Sequence, residues 1–191
     1  MSAPVLSPDT PMGELLATLP GGRRALFSHY HLGGCSSCGF SPDETLGELC
    51  ARSGPLDPAE VIARLLEAHA HDAAMLVTPQ QARNHLAEPD APRLLDTRTR
   101  EEHEAVAIPG STFMSQDVQQ HLFATAGPDE LILLYDHHGN RVLDTCAWFH
   151  GHGLKGARAI QGGIDAWSQQ IDPSLPRYRL EFESAEPSPL A

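Results

Sequence analysis

The chain has 191 residues, 41% of them hydrophobic, which is enough to bury one ordinary core or two small ones; its formal charge is −12. That charge argues against nucleic acid or an anionic membrane as partner, because neutralising phosphates takes clustered Lys and Arg, and it leaves an unidentified protein or a small molecule. No apolar run is long enough to span a bilayer, Met1-Ser2-Ala3-Pro4 lacks the basic and apolar parts of a signal peptide, and the 4 cysteines are too few for a disulfide-built fold. A soluble cytoplasmic protein is expected, with cysteines used for redox chemistry, metal or packing.

From Asp9 to about Ala70 the pattern is helical. Thr10-Pro11 opens a first helix with Met12, Leu15, Leu16 and Leu19 at helical spacing, and Pro20-Gly21-Gly22 breaks it. Ala25, Leu26, Phe27 and Tyr30 carry a second helix that stops at Gly33-Gly34. Thr45-Leu46-Gly47-Glu48 reads as a capping box for a third. Asp57-Pro58 starts a fourth, striped by Val61, Leu65, Leu66 and Ala70. After Ala74 short apolar runs alternate with helix-like segments, the signature of βαβ units. Thr78-Pro79-Gln80-Gln81 begins a helix, while Arg93–Asp96, Leu131–Tyr135 and, more weakly, Ala157–Ile160 read as strands. The class is α/β: a small all-helical domain over 9–72, then a domain over 75–175 with a mainly parallel sheet flanked by helices. A tail over 176–191, rich in Pro, Ser and Glu, is expected to be partly disordered.

The turn after Leu131–Tyr135 lies where open α/β sheets place their ligands, at the amino end of the next helix, so its free amides favour a nucleophile or an anion. It reads Asp136-His137-His138-Gly139-Asn140-Arg141, and Gly139 and Asn140 tolerate unusual backbone angles. This half resembles the rhodanese family, whose pattern runs strand, Cys-x-x-Gly-x-Arg, helix ending at Gly, then Gly-Gly-x-x-x-Trp; the chain supplies Gly139, Arg141, Gly153, Gly162, Gly163 and Trp167. Leu95-Asp96-Thr97-Arg98, Glu101-Glu102-His103-Glu104 and Ile108-Pro109-Gly110-Ser111 are similar to its Asp-x-Arg, acidic-helix and Ile-x-Gly-Ala signatures. The resemblance implies a rhodanese fold and sulfur or thiol chemistry, yet Asp136 stands where the family carries its persulfide-forming cysteine. A carboxylate cannot hold sulfane sulfur, which takes a polarisable thiolate. It can accept the amide hydrogen bonds of the cradle, either as an occupant of the anion site or simply as a helix cap; a carboxylate nucleophile is a third reading.

His137, His138, Gly139, Asn140 and Arg141 are the candidate binding loop. Adjacent His137 and His138 are expected to diverge and be solvated, and His150 and His152, two apart, miss metal-ligand spacing on a helix face. Cys146 falls on an apolar stripe with Phe149 and reads as core. The pair Cys35-x-x-Cys38 is the candidate redox or sulfur-carrying site. With Pro42, Glu44-Thr45-Leu46 and Glu48, it is similar to the hybrid-cluster-protein-associated disulfide domain, which implies thiol or disulfide chemistry. Zinc or an iron-sulfur cluster would need Cys50 and His29 or His31 besides that pair; no second Cys-x-x-Cys exists, Cys50 suits core packing, and no metal or cofactor is expected. Three functions remain open: a rhodanese-like binding or regulatory module without its nucleophile, partnered by a protein or a small sulfur or thiol compound; a sulfurtransferase or carrier using Cys35 and Cys38; and a metal-binding protein.

Overall fold

A computed structural model describes residues 4–33, 39–54 and 56–177. Cys35, Cys38 and the tail beyond Arg177 lie outside them, as does the metal set that needs this pair. The amino-terminal half is helical. Helix α1 (Met12–Thr18) buries Met12 and Leu15, α2 (Gly22–Tyr30) buries Ala25 and Leu26, and α3 (Leu46–Arg52) buries Leu46, Leu49 and Cys50. Thr45 accepts from the Glu48 amide while Glu48 accepts from the Thr45 amide, the expected capping box. Asp57 caps the amino end of α4 (Pro58–Ala74) by accepting from the Ala59 amide at 2.9 Å. Leu19, Leu32, Val61 and Leu65 complete the core shared by these helices.

Met75 ends α4, and the chain enters β1 (Leu76–Val77) directly. The remaining strands are β2 (Arg93–Asp96), β3 (Thr112–Phe113), β4 (Ile132–Tyr135) and β5 (Ala157–Ile160). They form one sheet in the order β1-β5-β4-β2-β3, with every pair parallel. The crossovers are α5 (Pro79–Leu86), α6 (Arg100–Ala105), α7 (Gln116–Thr125) and α8 (Val142–Gly151), and α9 (Gly163–Gln170) follows β5.

The period-two side-chain direction of β4 divides the core into two layers. Ile132 and Leu134 pack with Leu122, Val142, Cys146 and Phe149 beneath α7 and α8. Leu133 and Tyr135 pack with Ala82, Ile164 and Trp167 beneath α5 and α9. All four β4 residues are buried, which is why the segment reads as an unbroken apolar run. The three strands anticipated from sequence form; β1 and β3, two residues each, add the sheet's edges. Among the described residues no helix is long and apolar enough to cross a membrane.

Candidate functional site

The β4–α8 turn sits at the carboxyl end of the central strand. Asp136 is 7% exposed. Its Oδ1 accepts from the Gly139 amide, and its Oδ2 accepts from the Val142 amide at 2.9 Å, so one carboxylate spans the turn and closes it. Residue 141, at the N-cap of α8, contributes no side-chain cap, and Asp136 satisfies a first-turn donor of the helix instead. Gly139 has φ +81°, and a Cβ there would lie 2.5 Å from the Gly162 nitrogen, so glycine is required both for conformation and for space.

The floor of the turn is the amino end of α9. The Ile164 amide donates to the Asp136 carbonyl at 2.9 Å and the Asp165 amide to the His137 carbonyl at 3.1 Å. A Cβ on Gly163 would lie 2.3 Å from the Asp136 carbonyl oxygen; the Gly162-Gly163 pair is what lets the turn seat against the helix. Arg177 pairs with Asp165 at 2.7 Å, and that hydrogen bond holds the Asp165 carboxyl below its ordinary range.

Beside the turn lies a buried polar network, built by strand register. Asp96 is paired across the sheet with Tyr135. Its carboxylate accepts from the Arg98 amide (3.0 Å), Arg98 Nε (2.9 Å) and Nη2 (2.6 Å), His103 Nδ1 (2.9 Å) and the Tyr135 hydroxyl (2.8 Å). Tyr135, having donated its proton to Asp96, accepts from the Ile108 amide at 3.2 Å and the Ser111 hydroxyl at 2.8 Å. Burial alone would raise the Asp96 carboxyl, but the donors from Arg98, His103 and Tyr135 together outweigh it and hold the group low. Burial, reinforced by Asp96, raises the Tyr135 hydroxyl. The Asp-x-Arg and acidic-helix signatures thus meet at one carboxylate, and the Ile-x-Gly signature reaches it through the Tyr135 hydroxyl. In the sequence they were visible only as separate signatures; their convergence depends on the pairing of β2 with β4.

The loop residues part company. His138, Asn140 and Arg141 are exposed, whereas His137 is 8% exposed. The two imidazoles lie against each other at a tilt, centroids 4.2 Å apart and planes 36° apart, so they do not diverge as adjacency predicts; His137 is buried, while His138 is solvated as expected. Seating the turn on α9 tucks His137 inward and lays His138 over it. Burial first, and the neighbouring His138 second, lower the His137 imidazole below its ordinary range. His150 donates from Nε2 to the Ala157 carbonyl at 3.0 Å, and His152 from Nδ1 to the Trp148 carbonyl at 2.8 Å. Among the described residues no group of three His, Cys, Asp or Glu side chains is placed to hold a metal ion.

The two described cysteines are unsuited to nucleophilic chemistry. Cys146 is fully buried and burial pushes its thiol up to about 12; burial also raises the thiol of Cys50, which lies in the helical core.

Residues 78–170 match the family described as the rhodanese-like domain, and this part of the chain is a rhodanese-like domain. The "Rhodanese-like/PpiC domain-containing protein 12, chloroplastic" of Arabidopsis thaliana is 32% identical over 97 residues, covering 47% of this chain and 31% of that one. The "Adenylyltransferase and sulfurtransferase UBA4" of Debaryomyces hansenii is 24% identical over 163 residues, covering 75% of this chain and 34% of that one. The chain therefore spans about a third of the length of these curated relatives. Among solved structures, the human single-domain sulfurtransferase TSTD1 is 24% identical with a TM-score of 0.43, covering 50% of this chain and 96% of that one.

Proposed function

We propose that this is a rhodanese-like protein of sulfur or thiol metabolism whose rhodanese-like turn is a binding or regulatory module and not the carrier of sulfane sulfur. The carrying observation is that the Asp136 carboxylate accepts from the Gly139 and Val142 amides at the centre of the turn; the resemblance of the sequence to the family puts the persulfide cysteine at this position. Transfer from thiosulfate requires a thiolate to attack the outer sulfur and expel sulfite, leaving the sulfur as a persulfide. A carboxylate offers no such product, and its negative charge repels an anionic donor from the turn. The exposed His138, Asn140 and Arg141 remain as the surface a partner would read.

The test is thiocyanate formation from thiosulfate and cyanide, with intact mass recorded for the unreduced protein after thiosulfate. The wild-type turn should gain no sulfur, while Asp136→Cys should gain one sulfur atom at that residue. A folded Asp136→Cys protein that gains none would show that the turn is not a sulfur cradle. A second reading, a sulfur carrier or transferase using Cys35 and Cys38, is supported by the burial of Cys50 and Cys146 with raised thiols. If the wild-type protein does acquire sulfane sulfur, mapping should place it on Cys35 or Cys38.

A further inference from the structure

The two halves of the molecule keep separate apolar cores. The helical core draws on residues from Met12 to Leu65, and the two layers around the sheet begin at Met75. Where the halves meet, charged side chains make the contact. Arg24 in α2 donates from Nη2 to Asp72, near the end of α4, and from Nη1 to Asp144, in the first turn of α8. Asp72 is 4% exposed and lies against the amino end of α2, where a Cβ on Gly21 would come within 1.8 Å of its Oδ2. The next contact along α4 is aromatic: the His71 and His150 rings meet edge to face at 6.3 Å.

Asp144 belongs to the helix that frames the turn. It stands two residues beyond Val142, whose amide Asp136 holds, and its own amide donates to the Arg141 carbonyl at 3.1 Å. We propose that Arg24 is a strut coupling the amino-terminal helices to the Asp136 turn. By fixing Asp144 it holds the first turn of α8, and with it the amide that closes the loop. The inference holds whatever the turn binds. Because coupling is reciprocal, anything that displaces α2 loosens the turn, and a partner that reorganises the turn bears on α2. In the sequence α2 leads on to Cys35-x-x-Cys38. Arg suits the place because its planar fork can engage two carboxylates at once.

Amide hydrogen exchange on the full chain tests this. Asp144 is mostly exposed, so Asp144→Asn should leave the fold intact. It should speed exchange at Gly139 and Val142 about two- to fivefold relative to Leu133 in the central strand, the range for losing a largely exposed ion pair. Asp144→Glu, which keeps the charge, should restore the original ratio. Arg24→Gln should produce at least the same rise, and adding Asp144→Asn to it should produce no further rise. If the Gly139 and Val142 ratios stay unchanged in folded Asp144→Asn, the strut does not reach the turn and the proposal fails. An equal rise at Leu133 would also overturn it, because the pair would then serve only global stability. Should Arg24→Gln fail to fold, the contrast between Asp144→Asn and Asp144→Glu still decides the matter.

Discussion

At the scale of single residues, two buried carboxylates organise the carboxyl edge of the sheet, and they do so differently. Asp136 answers backbone amides alone, so Asp136→Ala should cost about 1–3 kcal/mol in urea unfolding, the range for stranding hydrogen-bond donors of a buried turn. Asp96 answers a guanidinium, an imidazole and a phenol. Its removal breaks the ion pair it makes with the buried Arg98, and Asp96→Ala should cost about 3–5 kcal/mol by the same measurement. Because the folded carboxyl of Asp96 lies below its unfolded value, the stability it contributes is complete above the ordinary Asp range. That contribution is lost as pH falls through the folded value. His137 acts at milder pH. Its imidazole lies below the ordinary range, so protons bind the unfolded chain more readily, and stability should fall as pH drops from about 6.5 towards the folded value. In His137→Gln the loss of stability between about pH 7.5 and pH 5.5 should be smaller than in the wild type; an identical slope would show that His137 is not its source.

At the scale of elements, the caps carry much of the local information. Thr45 with Glu48, Thr78 with Gln81 and Thr99 with Glu102 all close reciprocal boxes at the starts of α3, α5 and α6. Thr78→Ala should cost about 1 kcal/mol, read as a lowered midpoint in denaturant. The starts of α3 and α5 were legible because a cap is a local contract between residues three apart, whereas the cap at Thr99 was not read. The buried strands β2, β4 and β5 were legible for a related reason, as apolar runs bounded by polar turns. Strands β1 and β3 were not: two residues cannot display a period, and only pairing with β5 and β2 identifies them. The candidate turn was visible from Asp136, Gly139 and Gly162-Gly163 as residue types. The contact of His137 with His138 was not, since it depends on α9 seating the turn from beneath. Nor was the fivefold acceptance at Asp96, whose donors come from Arg98 in the loop after β2, from His103 in α6 and from Tyr135 in β4, the last brought in only by sheet register.

At the scale of the whole molecule, the separation of apolar cores sets the order in which parts can be lost. The helices α1 to α4 bury Met12, Leu15, Leu26, Leu49 and Leu65 among themselves, and none of these residues belongs to the clusters around the sheet. Among the described residues, α4, Arg24 and the contact of His71 with His150 connect the helical core to the sheet, and a cavity made in that core is transmitted through them. Leu15 is fully buried, and Leu15→Ala should destabilise the helical half by about 2–5 kcal/mol, the cost of lost burial plus the cavity left behind. Native-state hydrogen exchange should then show amides of α1 and α2 losing protection while those of β4 keep theirs, because the two sets open as separate cooperative units. Uniform loss of protection across α2 and β4 would mean that polar docking binds the halves into one cooperative unit. The Arg24 strut would then be as important to folding as either core. Loss confined to the helices would leave the rhodanese-like domain standing alone, with its turn still closed by Asp136 but no longer braced at Asp144.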